Sequence, residues 1–227
     1  MKFGGIQKTS TIDFPKKLSC VVFTLGCDLD CFYCHNRQLI EYAEEISEKE
    51  IKVFLEKRRG LLDGVVVSGG EATLQKDLLK FFKYLKKLGY ATKLDSNGQN
   101  LEVIKKLNEA KVVDYFAIDL KGAREKYTHI CGERADYEKT AETIRYLFDA
   151  KANFEVRTTL YPGITKEDLI SIAKDFESFP LWRFNYFHMP EKFKKCDLKR
   201  LRGKVLTKYD MIKIKKDLSE YQKNLEI

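Results

Sequence analysis

LSCVVFTLGCDLDCFYCHN, residues 18–36, runs from an apolar, β-branched stretch straight into three closely spaced cysteines. Its first seven residues, Leu18–Thr24, read as a buried strand that ends at a glycine-containing loop. Similar runs recur at 64–68 (GVVVS), 91–95 (ATKLD), 114–119 (DYFAID), 153–160 (NFEVRTTL) and 182–188 (WRFNYFH). Helical patterns lie between them. Ser47 and Glu50 form a capping box ahead of Ile51, Phe54 and Leu55. Leu78, Leu79, Phe82 and Leu85 recur at helical spacing before a stop at Gly89. Further helices fit residues 100–110, 137–150, 165–177 and 207–223, with Thr165 and Asp168 capping the third. Strand and helix thus alternate about six times, which predicts a parallel sheet with right-handed crossovers. Six units are too few to close an eight-unit barrel. The expected fold is α/β, an open partial (β/α)6 barrel, with a doubly wound sheet as the alternative. Either puts the site at the C-terminal ends of the strands, where every chemical motif below falls. The expected organisation is one domain over residues 1–227: a lead-in (1–17), the partial-barrel core (18–189) and a C-terminal extension with a helix (190–227).

Composition narrows the classes. Of the 227 residues 44% are hydrophobic and 33% charged, which excludes a mainly disordered chain. No run of about 18 apolar residues exists, so no membrane span is expected. MKFGGIQKTSTIDFP at the N-terminus lacks the apolar core of a signal peptide, so a cytoplasmic location is expected. Six cysteines in such a chain argue for metal or redox chemistry rather than a disulfide framework. The net charge of +8 suits nucleic acid, an acidic partner, an anionic substrate, or simply a solvated lysine-rich surface. The one dense basic run is KKCDLKRLRGK, 194–204.

The strongest signal is LGCDLDCFYCHN, 25–36. Thiols at Cys27, Cys31 and Cys34 can converge on one metal centre, and iron–sulfur clusters are held by cysteine thiolates, usually four. Three ligands leave one iron of a cubane open to a small molecule. A structural zinc with His35 as fourth ligand competes, although zinc sites normally draw ligand pairs from two separated segments. So does covalent haem on Cys31-Phe-Tyr-Cys34-His35, although attachment normally follows export and Cys27 is then unexplained. A loop of free cysteines is the third alternative. Cys20 lies in the first strand and reads as core; Cys131 and Cys196 are isolated and are assigned no metal.

With Tyr33 before its last cysteine, Cys27-x3-Cys31-x2-Cys34 resembles the signature of the radical S-adenosylmethionine (SAM) superfamily. The later motifs match in order. VVVSGGEATLQ (65–75) resembles that superfamily's Gly-Gly-Glu motif. LDSNGQN (94–100), DYFAIDLKG (114–122) and VRTTLYPGIT (156–165) resemble the Asp-Thr-Asn-Gly, Asp-x-Lys and arginine segments of glycyl-radical-enzyme activases. Residues 5–36 are particularly similar to activating proteins of anaerobic ribonucleoside-triphosphate reductases. The match departs at Ala72, usually proline, and at Ser96, usually threonine. The last 30 or so residues match little.

The resemblance implies a four-iron, four-sulfur cluster on Cys27, Cys31 and Cys34, with SAM chelating the open iron. Gly69 and Gly70 would let the backbone approach the methionine part, and Glu71 would meet its ammonium. Asp119 and Lys121 would contact SAM, and Asp95 with Ser96 would help form a monovalent-cation site. Arg157, expensive inside an apolar strand, would find a carboxylate such as that of SAM. His188, at the end of the sixth strand, would lie near the ribose. The partner implied is a glycyl radical enzyme, in particular anaerobic ribonucleotide reductase, with a flavodoxin or ferredoxin as electron donor. A chain almost wholly spent on six units suits a protein substrate, since a small ligand needs a pocket covering most of its surface. Other readings are a radical SAM enzyme acting on another glycyl radical enzyme, a small molecule or RNA, and a non-catalytic iron–sulfur carrier or zinc-binding interaction module. The basic surface keeps RNA open, yet no stacking-rich single-strand motif supports it.

Overall fold

The computed structural model describes residues 1–41 and 44–227. In chain order the elements are β1 (Phe3–Ser10), β2 (Ser19–Thr24), α1 (Gln38–Glu41), α2 (Glu48–Lys57), β3 (Gly64–Gly69), α3 (Leu78–Lys87), β4 (Ala91–Ser96), α4 (Leu101–Glu109), β5 (Tyr115–Asp119), α5 (Tyr127–Cys131), α6 (Tyr137–Asp149), β6 (Phe154–Leu160), α7 (Lys166–Lys174), β7 (Trp182–Tyr186), α8 (Leu198–Leu201), α9 (Lys208–Leu218) and β8 (Leu225–Glu226). The strands follow chain order in a mostly parallel, unclosed α/β sheet, as expected of a partial barrel. All six expected strands are present.

The chain divides into two compact units. One comprises residues 1–28, 36–96 and 100–117. Here β2 runs parallel to β3, from Ser19 opposite Gly64 to Thr24 opposite Gly69, and β3 runs parallel to β4. The lead-in, by contrast, carries a full strand: β1 pairs antiparallel with β2. Phe14, Val21, Val66 and Tyr115 pack into a core cluster. The capping box on α2 forms as read, with Ser47 and Glu50 exchanging bonds.

The other unit comprises residues 29–35, 97–99 and 118–227. In it β6 and β7 run parallel, Val156 opposite Trp182, and β7 pairs with the short β8. Trp182 is fully buried and donates its indole N–H to Thr158 Oγ1 at 2.9 Å. The buried Gln222 amide donates to the Ala173 and Phe176 carbonyls and accepts from Phe179 N–H, which ties the tail to the end of α7. β7 stops at Tyr186, so His188 lies two residues beyond the strand it was expected to end.

Candidate active site

In the first unit, the turn after β3 is packed backbone against backbone on the start of the cysteine loop. Gly70 N–H donates to Thr24 O at 3.0 Å, and Glu71 N–H to Gly26 O at 2.8 Å. A Cβ on Gly70 would stand 2.0 Å from Gly26 O, and Gly69 has φ +131°. Only glycine fits both positions. The Gly-Gly-Glu motif is thereby fastened to the residue preceding Cys27.

Glu71 is 2% exposed. Its Oε1 accepts from Thr73 N–H (3.0 Å), Thr73 Oγ1 (2.6 Å) and Ser96 Oγ (2.8 Å). Buried carboxylates need such donors. Ser96 has the hydroxyl that a threonine would bring, so the departure there costs no hydrogen bond. A cation does lie beside Asp95, and the chain itself supplies it: Lys93 Nζ sits 2.8 Å from Asp95 Oδ1.

In the second unit, Asp119 at the end of β5 holds two cations. Arg157 Nε lies 2.8 Å from Oδ1 and Lys121 Nζ 3.2 Å from Oδ2. Arg157, charged inside an apolar strand, thus has a carboxylate partner within the chain, and the pair orients its guanidinium. Burial pushes the Asp119 pKa up, but Arg157 and Lys121 outweigh it and bring it down to about 2. Burial opposes the Lys121 charge as well, yet Asp119 and the nearby Tyr33, Cys31 and Cys131 carry its pKa well above the ordinary value.

The folded pKa of Asp119 lies below its unfolded value. Its contribution to stability is therefore complete above about pH 4 and is lost as pH falls through about 2. Asp119→Asn is expected to be less stable than the parent near pH 5, and the gap should close by about pH 2. Urea unfolding midpoints of both proteins across that range check this, and a gap that does not change with pH refutes it.

Cys31 and Tyr33 are buried, and Cys34 is half-buried. Asp30 N–H donates to Cys131 O at 2.8 Å and Phe32 N–H to Ile130 O at 3.2 Å, which lays this segment along α5. The Cys131 thiol hydrogen-bonds that of Cys31; this contact and then burial push the Cys31 pKa well above the usual thiol range. Tyr33 stacks on Tyr161, centroids 5.2 Å apart, and its buried hydroxyl has no hydrogen-bond partner among the described residues. A buried hydroxyl in that state is an atom a ligand can satisfy. His188 is exposed, with its ring 6.5 Å from that of His35. Burial and then His188 lower the His35 pKa.

The donor set fits a cubane. Cys27, Cys31 and Cys34 are in no disulfide and lie within one eight-residue stretch. Among the described residues no group of three or more His, Cys, Asp or Glu side chains is gathered as for a single ion. Cysteine thiolates are the ligands that an iron–sulfur cluster takes.

Sequence reasoning missed three residues here. Cys131 was set aside as isolated because its contact with Cys31 spans 100 positions. Lys93 sat unnoticed inside a strand pattern. Arg200, part of the basic run, turns onto the cysteine loop: its guanidinium lies 3.9 Å from the Phe32 ring centroid and donates to His129 O at 2.6 Å. Lys194 of the same run pairs with Asp30. The helices of the described residues include none long and apolar enough to cross a membrane.

A family model for the Radical SAM superfamily matches residues 21–176. A protein of Methanocaldococcus jannaschii, provisionally named a glycyl-radical enzyme activating enzyme, is 38% identical over 221 residues, 90% of this chain and 91% of that one. The pyruvate formate-lyase-activating enzyme of Staphylococcus epidermidis is 31% identical, covering 77% of this chain and 74% of its own. The pyruvate formate-lyase 1-activating enzyme of Escherichia coli K12 is 30% identical, covering 72% and 69%. Among solved structures, TYW1 with a lysine-pyruvate adduct shares the fold, with a TM-score of 0.64, 20% identity and coverage of 90% and 74%. With its signature cysteines, its Gly-Gly-Glu turn and more than half its length inside the family match, this chain belongs to the radical SAM superfamily, and as an enzyme of that family it uses a four-iron, four-sulfur cluster and SAM.

Proposed function

We propose that this enzyme is a glycyl-radical-enzyme activase and that its partner is an anaerobic ribonucleoside-triphosphate reductase. The observation that carries the reading is the junction of Gly26, Gly70 and Glu71. The loop bearing the first cysteine and the turn bearing the candidate ammonium receptor are locked together through backbone bonds alone. The relatives named as activases, alike over most of their length, support the reaction class. The likeness of residues 5–36 to reductase activases supports the partner.

In this reading Cys27, Cys31 and Cys34 would hold the cluster. Gly69 and Gly70 admit the methionine backbone. Glu71, kept in place by Thr73 and Ser96, receives the ammonium. Lys121 and Arg157, oriented by Asp119, offer positive charge to the SAM carboxylate, and Tyr33 adds its unsatisfied hydroxyl. His188, exposed, is free to meet the ribose. When bound, the cluster, with a flavodoxin or ferredoxin as its donor, would supply the electron for reductive cleavage of SAM, chemistry that would end in hydrogen abstraction from a backbone glycine of the partner. The chain's own contribution is position and exclusion of water, with fixed charges replacing solvent.

The test is electron paramagnetic resonance of the reduced, SAM-loaded enzyme mixed with the reductase from the same source. A glycyl doublet that collapses on α-deuteration of the partner's glycine supports the proposal. A doublet on pyruvate formate-lyase but not on the reductase retains the activase and changes the partner. SAM cleavage with no radical on either protein ends the activase reading.

A further inference from the structure

Among the described residues Lys93 is the lysine that lies in the core, 1% exposed. It sits mid-strand in β4, and the two-residue period puts it on the same side as Asp95. Its Nζ lies 2.8 Å from Asp95 Oδ1 and 6.0 Å from the centre of the Tyr115 ring. Lysine is almost never this buried unless paired, and a leucine would fill the position at no electrostatic cost. The charge therefore serves Asp95. The residue after Asp95, on the opposite side of the strand, is Ser96, whose hydroxyl bonds Glu71 at 2.8 Å. The Lys93–Asp95 pair thus holds the end of β4 from one side while Ser96 steadies Glu71 from the other.

The cation site implied by the resemblance does not fit these residues. A lysine ammonium is a compact unit charge much like a potassium ion in size. With Lys93 already against the carboxylate, an alkali ion on the same buried group would meet a second positive charge at short range in a weakly screening interior. We propose that the Lys93 ammonium is the resident monovalent cation of Asp95, so that SAM binding by this enzyme needs no added alkali ion. This deepens the proposed function and rests on it only for the SAM contact.

The experiment compares KCl, NaCl and choline chloride at equal ionic strength, with two readouts. One is SAM affinity of the reconstituted enzyme by calorimetry; the other is the melting temperature of the same protein without SAM. The parent is expected to give the same values in all three salts. Lys93→Met should lose about tenfold in SAM affinity in choline chloride, as for one charge-assisted contact, and melt lower there. KCl or methylammonium chloride should restore both. Lys93→Met/Asp95→Asn, with no carboxylate left to neutralise, should melt at one temperature in every salt. A parent that gains affinity or melting temperature from KCl overturns the proposal, as does a folded Lys93→Met indifferent to the cation. Should Lys93→Met not fold, the parent and the double variant decide by the same criteria. If no variant binds SAM, the proposed function fails, and the melting temperatures still judge Lys93.

Discussion

Alanine at Cys27, Cys31 or Cys34 is expected to abolish cluster assembly, while alanine at Cys131 or Cys196 leaves the cluster in place. The asymmetry follows from chemistry and position. A cubane with three protein ligands has no spare thiolate, so losing one opens a second iron to water and exchange. Cys131 is a closer test than Cys196, because its thiol touches that of Cys31. If a nearby thiol were enough, Cys131 could stand in for Cys31. Its place at the end of α5, fully buried, argues that it packs beneath the loop. Iron and sulfide content after anaerobic reconstitution decides the matter. Full iron in Cys31→Ala would show that another thiol replaces it, and loss of iron in Cys131→Ala would make Cys131 a ligand.

How much of this was legible in the sequence depended on the range of each interaction. The six expected strands announced themselves because buried strands favour β-branched and aromatic runs, and the caps at Ser47 and Thr165 are local. β1 was not legible. FGGIQKTS has two glycines and four polar residues, and it is a strand only because β2 offers it an antiparallel partner. At the site, the motifs named the right kinds of residue but not their partners. Arg157 reads as a charge in need of a carboxylate, and nothing local reveals that Asp119, 38 positions away, offers one. The basic run 194–204 read as a surface feature because nothing local reveals that Arg200 covers Phe32, 168 positions earlier. Charge density is visible in one dimension; pairing is not.

Gly70→Ala is expected to be severely damaging for a change of one methyl. The added carbon would stand 2.0 Å from Gly26 O and 3.3 Å from Cys27 N, both backbone atoms. No side-chain rotation relieves such a contact, so the β3 turn or the cysteine loop must move. Overpacking a rigid site typically costs 1–3 kcal/mol, and a clash of backbone with backbone should reach at least about 3 kcal/mol. Against a domain stability of about 5–15 kcal/mol that is a large share. The displacement also acts on function, because the hydrogen bond from Glu71 N–H to Gly26 O spans the same junction. The variant should therefore melt well below the parent, and any folded fraction should take up less cluster and bind SAM weakly. Gly4→Ala is the control. Its Cβ would also meet close atoms, at 2.5 and 2.7 Å, but they are the terminal methyls of Leu25 and Leu39, which can rotate away. Melting curves and iron content of the two variants, measured side by side, separate the cases. Gly70→Ala with the stability and iron content of the parent would mean that the turn and the loop are not locked, and the junction would then carry no argument about function.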